Sequence, residues 1–413
     1  MSNPDAAQSR DSRSSSATAT PTAKWRKHPH RGGLPAAEYE KFRQEIFTAI
    51  WRDLDPFEQE IEDNEHVPHD RIDPLLRKMG AFGLLMPKDY GGIGLSTSQY
   101  LPILAEFSKI RGGIRVLVHV HNTVSHGLLE VASQSQKQEI FPGVARGTKS
   151  VAFALTEPDH GTGMDIGTTT VRDGDHYVIN GRKWLITNSD IATHFMVIAK
   201  TDAKAGARGI SSIFVERNTP GFRITPLPET MGCKGGEHGQ LDLVNVRVPI
   251  SNLSGKEGEG LTQMEELLEI SRVFIAATSL GTAERAFELS LKFAKSRVTF
   301  GRPIAERQAI QRYLAEMATD IYALRGMIFD AAAKWDSGRR IPAEASMSKL
   351  FGLEAVGRVT DRALLVHGGI GYTRAHPIER LYRDARLNWL EEGPPTIQIA
   401  VTAREFLDGY RLD

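Results

Sequence analysis

Residues 168–187 read Thr168-Thr-Thr-Val-Arg-Asp-Gly-Asp-His-Tyr-Val-Ile-Asn-Gly-Arg-Lys-Trp-Leu-Ile-Thr187. Three short runs rich in β-branched and aromatic residues, Thr168–Arg172, His176–Ile179 and Lys183–Thr187, are separated by Asp173-Gly174 and Asn180-Gly181. Asp-Gly and Asn-Gly suit type I′ turns, whose two central residues take positive φ, so the spacing predicts successive β-hairpins. Phe195–Lys200, Ile210–Val215 and Leu241–Val248 continue the pattern. A β-domain is expected over residues 151–255.

On either side the period changes from two to between three and four. Glu38 to Leu54 carries Tyr39, Phe42, Ile46, Phe47 and Ile50 at helical spacing. Further helices are expected at Asp73–Phe82, Ser96–Ile110 and Ile114–Ala132, giving an all-helical region over 36–150. Beyond Gly260, long helices are expected at Leu261–Arg297, Gln308–Trp335 and Pro342–His367, with a shorter one at Thr396–Leu407. Pro303, Gly338 and the Gly368-Gly369-Ile-Gly371 cluster punctuate them. Four such helices over 256–413 suggest an antiparallel bundle. Residues 1–35, rich in Ser, Thr and Ala at the start, read as a disordered tail. The order helical, β, helical defines an α+β chain.

Composition narrows the function classes. Lys+Arg and Asp+Glu are equal at 51 each, which argues against a general nucleic-acid footprint, since that needs a basic surplus on one face. The single cysteine, Cys233, excludes an internal disulfide framework and reads as a small buried thiol. No apolar run is long enough to span a membrane, and the N-terminal segment lacks the apolar stretch of a secretory signal. A cytoplasmic location is expected.

The common nucleotide-binding motifs G-x-G-x-x-G after a strand and G-x-x-x-x-G-K-[ST] are absent, as is the G-x-S-x-G elbow. His119, His121 and His126 form the one dense histidine cluster. Residues two apart do not share a helix face, so the cluster reads as packing or substrate contact, and no metal is expected.

Six stretches carry a resemblance. They are Ala152-Phe-Ala-Leu-Thr-Glu-Pro-Asp-His-Gly161, Asn180-Gly-Arg-Lys-Trp-Leu-Ile-Thr-Asn188, Arg297-Val-Thr-Phe-Gly-Arg-Pro303 with Gln308, His367-Gly-Gly-Ile-Gly-Tyr372, Tyr382-Arg-Asp-Ala-Arg386, and Glu392-Gly393. In this order and spacing, over roughly residues 36–410, the chain resembles the acyl-CoA dehydrogenase family. The resemblance implies N-terminal helices, a β-barrel-like middle domain and a C-terminal four-helix bundle around FAD. It further implies an acyl-CoA substrate, electron transfer to an electron-transferring flavoprotein, and a homotetramer built as a dimer of dimers.

Carried over by motif, Phe153, Leu155, Thr156, Thr162 and Thr187 are expected to line the flavin. Arg297, Phe300, Gln308, Val366, Gly368 and Gly369 are expected to hold the diphosphate and adenosine end, partly across a subunit interface. Glu392 is expected to be the base that removes the α-proton while the β-hydride passes to flavin N5. A carboxylate desolvated by an apolar acyl chain has a raised pKa and is a better base once ionised. Arg272 is expected to meet the carrier, although a helical Arg near Glu269 also suits an i,i+3 ion pair. Arg115 and His119 share a helix face and could greet a carboxylate or another polar tail; a surface Arg and a packed His are the alternative. Three departures from the family pattern stand out: Gly161-Thr162-Gly163 for Gly-Ser-Asp, Leu185 at the tryptophan position with Trp184 one place earlier, and Pro394 after Glu-Gly. They leave room for an oxidase or nitroalkane-type flavoenzyme, or for a dehydrogenase of carrier-protein-bound or dicarboxylic thioesters.

Overall fold

The computed structural model describes residues 32–110 and 112–412; residues 1–31 of the expected tail lie outside the described residues. The N-terminal helices are α1 (Ala36–Ala49), α2 (Glu58–Asn64), α3 (His69–Lys78), α4 (Thr97–Phe107), α5 (Gly112–Val131) and α6 (Gln134–Ala145). The stripe read from the sequence is the buried one: Ile46, Ile50 and Leu54 are at most 2% exposed. The chain passes from α1 into a π-helical turn at Ile50–Leu54. Ser96 and Ser133 cap α4 and α6 through capping boxes with Gln99 and Gln136. Neither α2 nor α6 was anticipated individually. The apolar period of α6 is interrupted by Pro142 and Gly143, and only its cap betrays it.

The middle strands are β1 (Val151–Ala154), β2 (Thr169–Asp173), β3 (His176–Thr187), β4 (His194–Lys200), β5 (Ile210–Glu216), β6 (Phe222–Pro226), β7 (His238–Pro249) and β8 (Leu253–Ser254). They form one sheet ordered β6-β7-β3-β2-β4-β5-β8, with β1 added in parallel beside β4. The Asp173-Gly174 hairpin is present: β2 and β3 pair antiparallel around it. The Asn180-Gly181 hairpin is not. β3 runs straight through both residues as one strand along β7, with its register shifting between Ile179 and Gly181. Here glycine serves close approach rather than a turn, because a Cβ on Gly181 would lie 2.7 Å from the Thr168 Cα.

The C-terminal helices are α7 (Gly260–Ser296), α8 (Gln308–Asp336), α9 (Pro342–His367), α10 (Ile378–Ala385) and α11 (Pro395–Leu407). α9 packs on α7, α8 and α11, completing the expected bundle. α7 also packs against α4 and α5, so it is buried on every face from Glu269 to Ala283. It therefore joins the two helical regions and presents its first turns to the sheet. No described helix is long and apolar enough to cross a membrane.

Candidate active site

A cavity of about 1350 Å³ opens where β1, β3, the start of α7 and the segment before α11 meet. Its sheet-side wall contains all five residues expected at the flavin: Phe153, Leu155, Thr156, Thr162 and Thr187. A buried ion pair ties this wall together. Lys183 Nζ donates to Glu157 Oε1 (2.8 Å) and to the Leu155 carbonyl (3.0 Å). The Glu157 carboxylate also accepts the amides of Gly167 (2.5 Å) and Thr168 (3.0 Å). Burial pulls the Lys183 ammonium down to about 8 despite Glu157. Burial pushes Glu157 up, but Lys183 and the donated hydrogen bonds outweigh it and hold the carboxyl below its usual range.

A second register shift in β3, between Lys183 and Ile186, decides which side chain faces the cavity. Leu185 takes φ 56° and lines it, 48% exposed. Trp184 instead donates its backbone amide to the Thr156 carbonyl (2.8 Å). The apolar face at the family's tryptophan position is thus supplied by leucine.

Opposite stands Glu392, in the turn between a short 3-10 helix (Leu387–Trp389) and α11. Glu392 has φ 57° and Gly393 φ 89°. Left-handed backbone at a non-glycine residue costs on the order of 1–3 kcal/mol and persists only when its surroundings hold it. Gln398 Nε2, in the first turn of α11, donates to the carbonyls of Glu392 (3.1 Å) and Gly393 (3.0 Å). Lys349 Nζ of α9 donates to the carbonyls of Glu391 (2.5 Å) and Gly393. Ser271 Oγ, from α7, donates to Glu392 Oε1 (2.7 Å). Burial raises the Glu392 pKa above its ordinary 4.5, assisted by the negative charge of Glu391 and opposed by Ser271, Lys349 and Arg272.

Arg272 also lines the cavity. The ion pair considered for it with Glu269 does not form, because Glu269 binds Arg340 (2.6 Å) and the Ile341 amide (2.7 Å). Arg272 Nε is buried with no hydrogen-bond acceptor among the described residues, and burial lowers its pKa. Arg115 and His119 require a correction, because neither lines the cavity. The Arg115 guanidinium donates to Glu391 Oε1 (2.9 Å) and Asn388 Oδ1 (2.9 Å) behind the wall. His119 shares a hydrogen bond with Thr123 (3.2 Å), and burial lowers its pKa to about 4, leaving it neutral. Glu391 is the acid that claims Arg115.

Arg297, Phe300, Gln308, Val366, Gly368 and Gly369 lie outside the cavity lining. Arg297 follows α7, 25 residues beyond Arg272, which is about 37 Å along the axis at 1.5 Å per residue. Phe300, with φ 49°, is 95% exposed. Arg297 is therefore far along α7 from the part of the helix that lines the cavity.

The chain matches the models for the N-terminal domain (residues 36–148), middle domain (152–246) and C-terminal domain (258–407) of acyl-CoA dehydrogenase. It is 36% identical to acryloyl-CoA reductase (NADH) of Anaerotignum propionicum over 358 residues, covering 86% of this chain and 91% of that protein. It is 34% identical to the CarC subunit of the caffeyl-CoA reductase–Etf complex of Acetobacterium woodii over 343 residues, 82% of this chain and 90% of that one. The structure superposes on acyl-CoA dehydrogenase complexed with FAD from Bacillus anthracis with a TM-score of 0.83 and 30% identity, covering 91% of this chain and 67% of that one. The chain belongs to the acyl-CoA dehydrogenase family. Acyl-CoA dehydrogenases bind FAD, and the residues present fit it. The cavity exceeds the roughly 300–1,000 Å³ of a pocket for one small molecule, leaving room for a flavin and an acyl chain. Its sheet wall offers threonine hydroxyls beside the apolar faces of Phe153, Leu155 and Leu185, the mixed donor and apolar surface that a flavin ring needs.

Ser271, Gln398 and Lys349 are the hydrogen-bond partners of the Glu391–Gly393 segment that sequence reasoning did not single out. Serine and glutamine give no pattern signal on a buried helix. Lys349 did give one: it shares the apolar i, i+4, i+7 stripe of α9 with Leu353 and Val356, where a charge is out of place.

Proposed function

We propose that this chain removes the α-proton and β-hydride of an acyl-CoA thioester with an uncharged acyl group, with Glu392 as base. The observation that carries this reading is the Glu392 carboxylate, half-buried in the wall of the cavity that Thr156 and Thr187 also line and held by a hydrogen bond to one oxygen. Ser271 occupies Oε1, leaving Oε2 to take the proton from Cα. A raised pKa brings the base closer to the weak acidity of an α-C–H, and an entering acyl chain that excludes water raises it further. When bound, FAD supplies the acceptor for the β-hydride. The same carboxyl, protonated, returns a proton to Cα in the reductive direction for which several relatives are named.

The uncharged acyl group follows from Arg115. Its charge is met by Glu391, and the cavity lining includes the apolar Val120, Val124, Leu267 and Leu390, which suits an uncharged chain. Arg272 suits the phosphates of the carrier. Electrons would pass to an electron-transferring flavoprotein, a reading supported by the relative that is a subunit of an Etf complex. A second copy of the chain would supply the Arg297, Phe300 and Gln308 group to each FAD within a homotetramer.

The test is anaerobic bleaching of the flavin by a panel of saturated thioesters. Neutral aliphatic or alicyclic thioesters are expected to reduce it at least about tenfold faster than dicarboxylic ones. Preference for a dicarboxylic thioester would reverse the assignment of Arg115, and bleaching by none of the panel would overturn the reading as a whole.

A further inference from the structure

The loop carrying Glu392 is built around a charge that no part of the proposed reaction consumes. Lys349 lies in the middle of α9, 0% exposed, on the face shared with Ala345, Gly352 and Leu353. Burying an ammonium costs several kcal/mol unless its protons and charge are met. A methionine would fill much the same volume there without that cost. Two of the three protons go to the carbonyls of Glu391 and Gly393, which flank the base on either side. The Glu392 carbonyl between them accepts from Gln398, which also donates to the Gly393 carbonyl. Three successive carbonyls are thus gripped from α9 and α11, that of Gly393 from both, and the grip holds Glu392 and Gly393 in consecutive left-handed conformations. That backbone geometry sets the direction in which the Glu392 side chain leaves the loop, and Ser271 meets its carboxylate. We propose that Lys349 is the positioning residue for the base, clamping the backbone on both sides of Glu392 and supplying a fixed positive charge beside its carboxylate.

This inference rests on the reading of Glu392 as base. The charged groups facing the pair are few. Glu391 comes from the same loop and is itself tied to Arg115 of α5. α7 contributes Arg272 with the neutral Ser271, and α11 presents neutral Gln398 to the loop and Arg404 towards Arg272. Burial draws the Lys349 ammonium down to about 8 against the pull of Glu392 and Glu391, so it is charged where the base must ionise. Lys349 lowers the Glu392 pKa, and its removal therefore raises it.

The experiment compares wild type, K349M and K349Q as FAD-loaded full-length proteins. Flavin reduction by a saturated thioester is followed across pH, and affinity for the enoyl product is measured alongside. In K349M, product affinity should stay within about threefold of wild type. The limiting reduction rate should fall at least about thirtyfold, and its ascending pH limb should move up by about one pH unit. K349Q keeps a donor but no charge, so it should recover part of the rate while keeping the displaced limb. Wild-type rate and pH profile in folded K349M or K349Q would overturn the proposal. So would failure of both variants to fold, which would make Lys349 a determinant of the fold instead. If wild type is reduced by no thioester, the reading of the reaction fails first; if wild type is reduced and the lysine variants match it in rate and pH profile, this inference alone fails.

Discussion

At the scale of single residues, the site is an arrangement for holding one carboxylate dry and usable. Glu391 and Glu392 are adjacent acids with opposite fates. Both are pushed up by burial, but the charge and hydrogen bond of Arg115 bring Glu391 below the ordinary glutamate value, while Glu392 stays above it. Separating the pKa values of neighbouring carboxyls by environment is how one protein assigns them different roles. The Ser271 hydrogen bond stabilises the ionised form of Glu392, so S271A is expected to raise its pKa. The ascending limb of the pH–rate profile for flavin reduction should then shift to higher pH. The displacement should be about one to two pH units, in line with about 1.5–3 kcal/mol for a hydrogen bond to a charged group. An unmoved limb would remove Ser271 from the site. Glu392 was legible in the sequence because it stands in an ordered set of motifs. What holds it was less so: Ser271 and Gln398 stand in segments without a motif, and Lys349 marks its stripe as unusual without naming its partner.

Elements were legible where their period was clean. The long helices α7, α8 and α9 fall within two residues of their expected limits. The failures came from glycine. Asn180-Gly181 has the composition of a turn, but β7 lies alongside to continue the ladder and Thr168 presses on the glycine, so the strand goes on. The bulge at Trp184-Leu185, which selects the cavity-facing side chain, has no signature short of the structure. Between elements, His69 of α3 bridges Asp73 (2.9 Å) and Asp190 (3.1 Å), the latter just past β3. Burial opposes its protonation, but the two carboxylates outweigh burial and raise its pKa from 6.5 to about 9. A raised histidine pKa gives stability that is complete below about 6.5 and is lost as pH rises through about 9. Thermal unfolding across that window should show wild type losing on the order of 2 kcal/mol relative to H69A, after allowance for solvent screening. Parallel pH dependences for the two proteins would mean that the bridge contributes nothing.

For the whole molecule, the cavity exists only because helices on both sides of the β-domain close on it, with α7 contributing to the wall and to both helical regions. The general architecture could be read from the alternation of periods; the cavity could not, since it depends on how far apart the packed layers stand. The same scale explains why half of the expected cofactor residues lie remote from it. Arg297, Phe300 and Gln308 gather at the far end of the bundle, and the exposure of Phe300 and Tyr372, at 95% and 89%, marks surface suited to a second copy. Sedimentation of wild type should therefore give an assembly larger than the 45.6 kDa chain. The F300A variant is expected to shift towards smaller species and to lose FAD more readily. A wild-type monomer that retains FAD would contradict the shared site.

The central claim is that Glu392 takes the α-proton, and E392Q tests it most directly, because glutamine keeps the size of the side chain and removes the base. FAD-loaded E392Q mixed anaerobically with a thioester that bleaches wild type should keep its flavin and bind the thioester. Its reduction rate constant should fall by at least about a thousandfold, on the scale expected for loss of an essential base. Reduction within tenfold of wild type would contradict the account and place the base on another residue.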